Sequence, residues 1–100
     1  MNMTLEDIKN KLESKYDVHF RYGSEDSIAC TNKTTGEIFT ITHDEAFKKV
    51  AGAEWLWHWQ SSPEVHKVAR GAVKEYQDIE TMFVYYMKPA DKPVEQIKLF

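Results

Sequence analysis

Apolar residues in the first part of the chain recur at helical spacing. Leu5, Ile8, Leu12 and Tyr16 fall at the i, i+3, i+7 positions of one stripe, with charged and polar residues between them. Thr4, followed three residues later by Asp7, carries the signature of a capped start. The pattern predicts a surface helix over residues 4–16. From residue 17 the period becomes two: Val18, Phe20 and Tyr22 point one way, His19 and Arg21 the other. Gly23-Ser24-Glu25-Asp26 reads as a turn. Residues 27–32 and 37–42 read as a hairpin closed through Lys33-Thr34-Thr35-Gly36, with glycine supplying the left-handed position. Three successive strands of this kind make an antiparallel meander.

The second half is less regular. Thr42 with Glu45 repeats the capping signature and predicts a helix that carries Ala46, Phe47 and Val50 inward and ends or bends at Gly52. In residues 53–60 the rings of Trp55, Trp57 and Trp59 alternate as on a strand, whereas Ala, Glu and Leu favour a helix. We assign a helix there. Ser62, Pro63 and Glu64 mark a further helix start. Val65, Val68, Ala69, Ala72, Val73 and Tyr76 then give one apolar face over residues 63–77. Gly71 inside that helix would cost about 1 kcal/mol relative to alanine, a cost that the close approach of a backbone or a bulky ring would explain. Residues 81–88 are β-rich and apolar on both faces, which predicts a late strand joining the sheet, and residues 94–100 suit a short edge strand. The fold class expected is α+β: an N-terminal helix, a three-stranded antiparallel meander, two or three helices and a final strand joining the sheet, in one domain over residues 1–100.

Composition narrows the classes. In 100 residues, 42% hydrophobic and 13% aromatic, there is too much apolar surface for a disordered chain and enough for a single core. The net charge is −3, acids and bases are interleaved, and the longest basic run is Lys48-Lys49. That balance weighs against a nucleic-acid backbone as partner. Cys30 is the one cysteine. It can form no internal disulfide and suits a reducing compartment. No signal-peptide pattern opens the chain and no stretch nears the roughly 18 apolar residues of a membrane helix. A cytoplasmic protein without a membrane partner is expected.

Chemistry-bearing residues do not assemble into a recognisable catalytic set. His19, His43, His58 and His66 lack the spacing of a zinc site, so no metal is expected. Cys30 falls mid-strand, where a buried thiol is usual. The glycines at 23, 36, 52 and 71 are too far apart for a phosphate-cradling loop. The paired acids Glu25-Asp26, Asp44-Glu45 and Asp78 with Glu80 sit at turns or helix ends, where solvated charge is the default. No cofactor and no enzyme activity are expected. The informative cluster is Trp55-Leu56-Trp57-His58-Trp59. Either two indoles fill the core while the third lies on the surface, or Trp57 and His58 form part of a partner-binding patch. Tyr85 and Tyr86 are a second candidate: either their strand is central, covered by helices on one side with the hydroxyls reaching solvent, or it is edge-like, and its outer face and open edge could recruit a partner by strand addition.

The run Ala53-Glu54-Trp55-Leu56-Trp57-His58-Trp59, with Ser61-Ser62-Pro63-Glu64-Val65 and an alanine-rich helix to Tyr76 behind it, resembles part of the type II-C anti-CRISPR family over residues 53–86. Those are small phage inhibitors that bind the nuclease domain of a CRISPR effector. The family's Ser-Cys pair in the last strand is replaced by Phe83-Val84-Tyr85-Tyr86, so its binding residues do not carry over. The resemblance implies a small inhibitor that acts in the cytoplasm of a bacterial host and docks on a host protein such as a nuclease. The expected anchors are Trp57, His58 and Tyr85, with Asp78 and Glu80 at the rim. The rival reading is a nucleic-acid-associated regulator using the 63–77 helix through Lys67, Arg70 and Lys74.

Overall fold

The computed structural model describes residues 3–92. Its elements in chain order are α1 (Leu5–Lys15), β1 (Phe20–Ser24), β2 (Ser27–Thr31), β3 (Ile38–His43), α2 (Glu45–Ala51), β4 (Trp55–Gln60), β5 (Val68–Val73) and α3 (Tyr76–Met87). The five strands form one antiparallel sheet in the order β1-β2-β3-β4-β5, a meander throughout. Helices α1 and α3 cover one face. The α+β class therefore holds, with more strand and a different second half than the pattern predicts. No helix among the described residues is long and apolar enough to cross a membrane.

The first half follows its local signals. The Thr4 hydroxyl accepts from the Asp7 N–H and the Asp7 carboxylate from the Thr4 N–H, both at 3.0 Å. This closes the expected capping box, and Ile8 and Leu12 face the core. Gly36 closes the β2–β3 turn at φ 78. The next helix begins one cap later than expected. Asp44, not Thr42, accepts the Phe47 N–H at 3.1 Å, and Gly52 ends the helix in the left-handed region. None of α2 is buried, and Val50 is 86% exposed. The inward roles expected for Ala46 and Val50 are thus overturned, and Phe47 is only partly covered. The reason is topological: Asp44 donates to the Glu54 carbonyl at 2.8 Å, so β3 and β4 pair up to the ends of α2 and the helix stands off as an outward excursion.

Three further expectations fail together. Residues 53–60 lead into and form strand β4, not a helix; residues 63–77 hold a turn, strand β5 and only the first two residues of α3, not one helix; residues 81–88 lie in and just past helix α3, not in a strand. In β4 the three indoles share the helix-covered face, with Trp55 and Trp57 buried and Trp59 half-buried. In β5, Ala69, Gly71 and Val73 are partly covered while Val68, Arg70 and Ala72 are exposed, a period of two. Tyr76, Ile79, Phe83 and Met87 form the buried stripe of α3. Helical burial of that stripe outweighs the β propensity of the aromatic and β-branched residues around it. The expected strand over residues 94–100 lies outside the described residues.

Phe83 sits at the centre of the core, its ring 5.6 Å from Phe20, 5.4 Å from Phe39 and 5.7 Å from Tyr16. Trp57 stacks on Phe39 at 5.9 Å with planes 3° apart, and Tyr86 tilts over Trp57 at 5.2 Å and Trp59 at 5.0 Å. Two carboxylates tie α1 to the rest. Glu13 accepts the Phe20 N–H at 2.8 Å and pairs with Lys9 and His19, each at 3.1 Å. Glu80 of α3 accepts Lys15 Nζ at 2.6 Å and the hydroxyls of Tyr16 at 3.0 Å and Tyr76 at 3.1 Å.

Candidate partner-binding surface

With both packed helices on one side, the other face of the sheet is open. Strand alternation selects its residues: Arg21; Ser27, Ala29 and Thr31; Ile38, Thr40 and Thr42; Leu56, His58 and Gln60; Val68, Arg70 and Ala72. No carboxylate and no Phe, Tyr or Trp ring stands among these strand positions. The pairing places Arg21, Ala29, Thr40, His58 and Arg70 as successive neighbours in one row across all five strands. At roughly 4.8 Å per strand, the two arginines stand about 19 Å apart with His58 between them. The next row is Ser27, Thr42, Leu56 and Ala72, and on the other side lie Thr31, Ile38, Gln60 and Val68. The face therefore offers fixed cations, hydroxyls and short apolar side chains, the materials for an interface with an anionic surface.

The expected anchors do not gather in one place. Trp57 is 8% exposed and points into the core. His58, its neighbour in β4, is half-covered on the open face, so adjacent residues point to opposite sides of the sheet. Tyr85 is 67% exposed on α3 and meets the Tyr86 ring edge-on at 4.9 Å. Asp78 is exposed and falls on the same outer helix face as Tyr85, two turns away. Glu80 is no rim acid, because its side chain is 16% exposed and held by three donors. Burial pushes its carboxyl up, but the hydrogen bonds from Lys15, Tyr16 and Tyr76 outweigh that and hold it below the usual carboxylate range. The open face adds Arg21 and Thr40, on segments whose alternation already reads as strand, and Arg70, which a period-two reading of residues 53–60 and 63–77 would have placed beside His58.

The rival chemistry also changes geometry. Lys67, Arg70 and Lys74 do not share a helix. Arg70 lies on the open face of β5, while Lys67 and Lys74 flank the strand ends. The capped helix and closing strand on which the anti-CRISPR likeness rests are likewise replaced by β5 and α3.

On the helix side, a cleft of about 560 Å³ opens between α2, the start of α3 and the β4 end of the sheet. His43 stacks on Trp55 at 4.2 Å, and its Nε2 stands 3.3 Å from Glu54 Oε2. Lys11, Lys48 and Lys74 line the cleft with Glu45, Glu54 and Glu75. The charges balance, and the hydroxyl lining the cleft, that of Tyr76, donates to Glu80 and is pushed up by burial. Among the described residues lining the cleft, no serine, threonine or cysteine stands with the His43–Glu54 pair. Among the described residues, no three His, Cys, Asp or Glu side chains are grouped to hold a metal ion. No protein-family model, curated protein or solved structure matches the chain.

Proposed function

We propose that this chain is a non-catalytic docking domain that binds an acidic surface of a protein partner through its open sheet face and blocks or modulates that partner by occupying it. One observation carries the reading: the open strand positions hold Arg21, His58 and Arg70 and no carboxylate, in a chain whose net charge is −3. Arginine is enriched and aspartate and glutamate are depleted at protein interfaces. Leu56, Ile38 and Val68 supply apolar contact between the charges, Val68 being 65% exposed. Sheet faces that read single-stranded nucleic acid stack bases chiefly on Phe, Tyr and Trp rings; this face has none of these, its one ring being the His58 imidazole, which favours a protein over an RNA or DNA partner.

The test is site-specific photo-crosslinking in cell extract. A photoreactive residue replaces His58 in one variant and Asp78, on the outer face of α3, in another, and the trapped product is identified by mass spectrometry. A discrete protein adduct at position 58, abolished by Arg21→Glu or Arg70→Glu with the melting temperature unchanged, is the expected result. An adduct at position 78 alone would sink the reading. An adduct to nucleic acid with steep salt dependence would replace it with the rival.

A further inference from the structure

We infer that the outer edge of β5 accepts an extended, acidic segment of the partner as an added strand. The inference rests on the reading of the domain as protein-binding and specifies how one partner element enters. Exposed sheet edges are normally blunted by bulges, charges, proline or a covering element, because unpaired N–H and C=O groups template further pairing. The two margins of this sheet differ in that respect. β1 is shifted in register between Tyr22 and Ser24. The chain entering it is tied to residues 90–92, through Asp17 N–H to the Ala90 carbonyl at 2.7 Å and Lys92 N–H to the Lys15 carbonyl at 3.0 Å. β5 carries charge, in Arg70 and the flanking Lys67 and Lys74, but no bulge and, among the described residues, no tie to another segment. It pairs with β4 without interruption from Val68↔Gln60 to Val73↔Trp55, contains no proline, and meets no other strand among the described residues.

Charge selects the occupant. Lys67, Arg70 and Lys74 fall on or beside β5, and no acid lies between Glu64 and Glu75. A second copy fits poorly, since antiparallel self-pairing would bring Arg70 close to Arg70 and Lys67 of one copy toward Lys74 of the other, like charges on facing strands. An acidic strand meets those cations favourably. Period two sets its pattern: acids on the side of Arg70, and small or apolar residues on the side of Ala69, Gly71 and Val73, beneath α3.

The experiment uses a short end-blocked peptide alternating Glu and Val, and its Lys-Val counterpart, titrated into the full chain and followed by NMR and amide exchange. The expected result is binding of the Glu-Val peptide alone. β5 amides facing away from β4 should slow in exchange, and Arg70→Glu should weaken binding on the order of tenfold. Equal binding of both peptides, or no binding of either, would overturn the inference, while the face reading continues to be judged by the crosslink at position 58. Shifts spread over Arg21 and His58 without protection of β5 would leave the face reading standing and remove the edge. Concentration-dependent protection of β5 without peptide would make a second copy the occupant and equally overturn it.

Discussion

Gly71 lies against the Trp57 indole: a Cβ built at Gly71 would stand 2.8 Å from Nε1 and 3.0 Å from Cε2 and Cζ2. The two residues are direct cross-strand partners. The indole is held in place by two further rings, Phe39 stacked at 5.9 Å and Tyr86 tilted at 5.2 Å. Gly71→Ala is therefore expected to cost about 1–3 kcal/mol through overpacking, read as a lower urea midpoint at unchanged slope. A smaller ring should relieve it, so the loss should shrink in a Trp57→Phe background. An unchanged midpoint for Gly71→Ala alone would contradict the contact.

Alanine substitutions should separate architecture from recognition. Trp57→Ala removes a buried ring from the aromatic stack and is expected to cost about 3–5 kcal/mol, so any binding lost with it reports unfolding. Tyr85→Ala, on an exposed ring, should stay within about 0.5 kcal/mol. If the open face is the docking surface, Tyr85→Ala and Asp78→Ala leave partner capture intact, and His58→Glu abolishes it while thermal melting is unchanged. Capture that survives His58→Glu but fails with Tyr85→Ala would move the interface to the outer side of α3.

The first half of the fold is legible because its signals are local. The Thr4–Asp7 box, the alternation around Phe20 and the glycine at position 36 each act within a few residues. The second half misleads because its small residues satisfy two periods at once. Val65, Val68, Ala69, Ala72, Val73 and Tyr76 fit a helical stripe, yet Ala69, Gly71 and Val73 also alternate on a strand. Gly71 is the residue that breaks the tie, and the ring that explains it belongs to a different strand, visible only after folding. The buried stripe of α3 begins at Tyr76. With Tyr76 grouped with the preceding apolar residues, the remainder, residues 81–88, is too short to show helical spacing. Glu80 reads as a solvated acid in sequence because its three donors come from Lys15 and Tyr16 across the fold and from Tyr76 in a helix not yet recognised. His58 is the one expected anchor that falls on the open face.

Glu80 should make stability depend on acid. Its carboxyl is held below the usual carboxylate range in the folded chain, so the stability it adds is present above that range and is lost as pH falls through the lowered folded value. Glu80→Gln keeps the shape but removes the charge that Lys15 and the two tyrosines address. It is expected to cost about 1–3 kcal/mol at neutral pH and to flatten the acid limb of the melting-temperature profile. Glu13, also held low despite its burial by the Phe20 N–H, Lys9 and His19, keeps part of that limb in the variant. A Glu80→Gln profile parallel to the parent from neutral to acid pH would show that the three donors do not act on a charged carboxylate.

Cys30 gives a native thiol probe of the core beneath the sheet. It is fully buried in β2, paired with Phe20 of β1 and Phe39 of β3, and burial pushes its thiol up to about 12. The thiolate, not the thiol, reacts with disulfide reagents, so burial and the raised value both suppress labelling in the native state. In mildly alkaline buffer without denaturant, labelling is expected to be slower than in the unfolded chain by about the folding equilibrium constant, on the order of 10³ or more for an ordinary domain. Added urea should raise the rate in step with the tryptophan fluorescence transition, because the same core holds Cys30 and Trp57. Fast labelling well below that transition would mean that β1 and β2 separate from the sheet before the indoles are exposed, placing the weakest joint of the domain at its β1 margin.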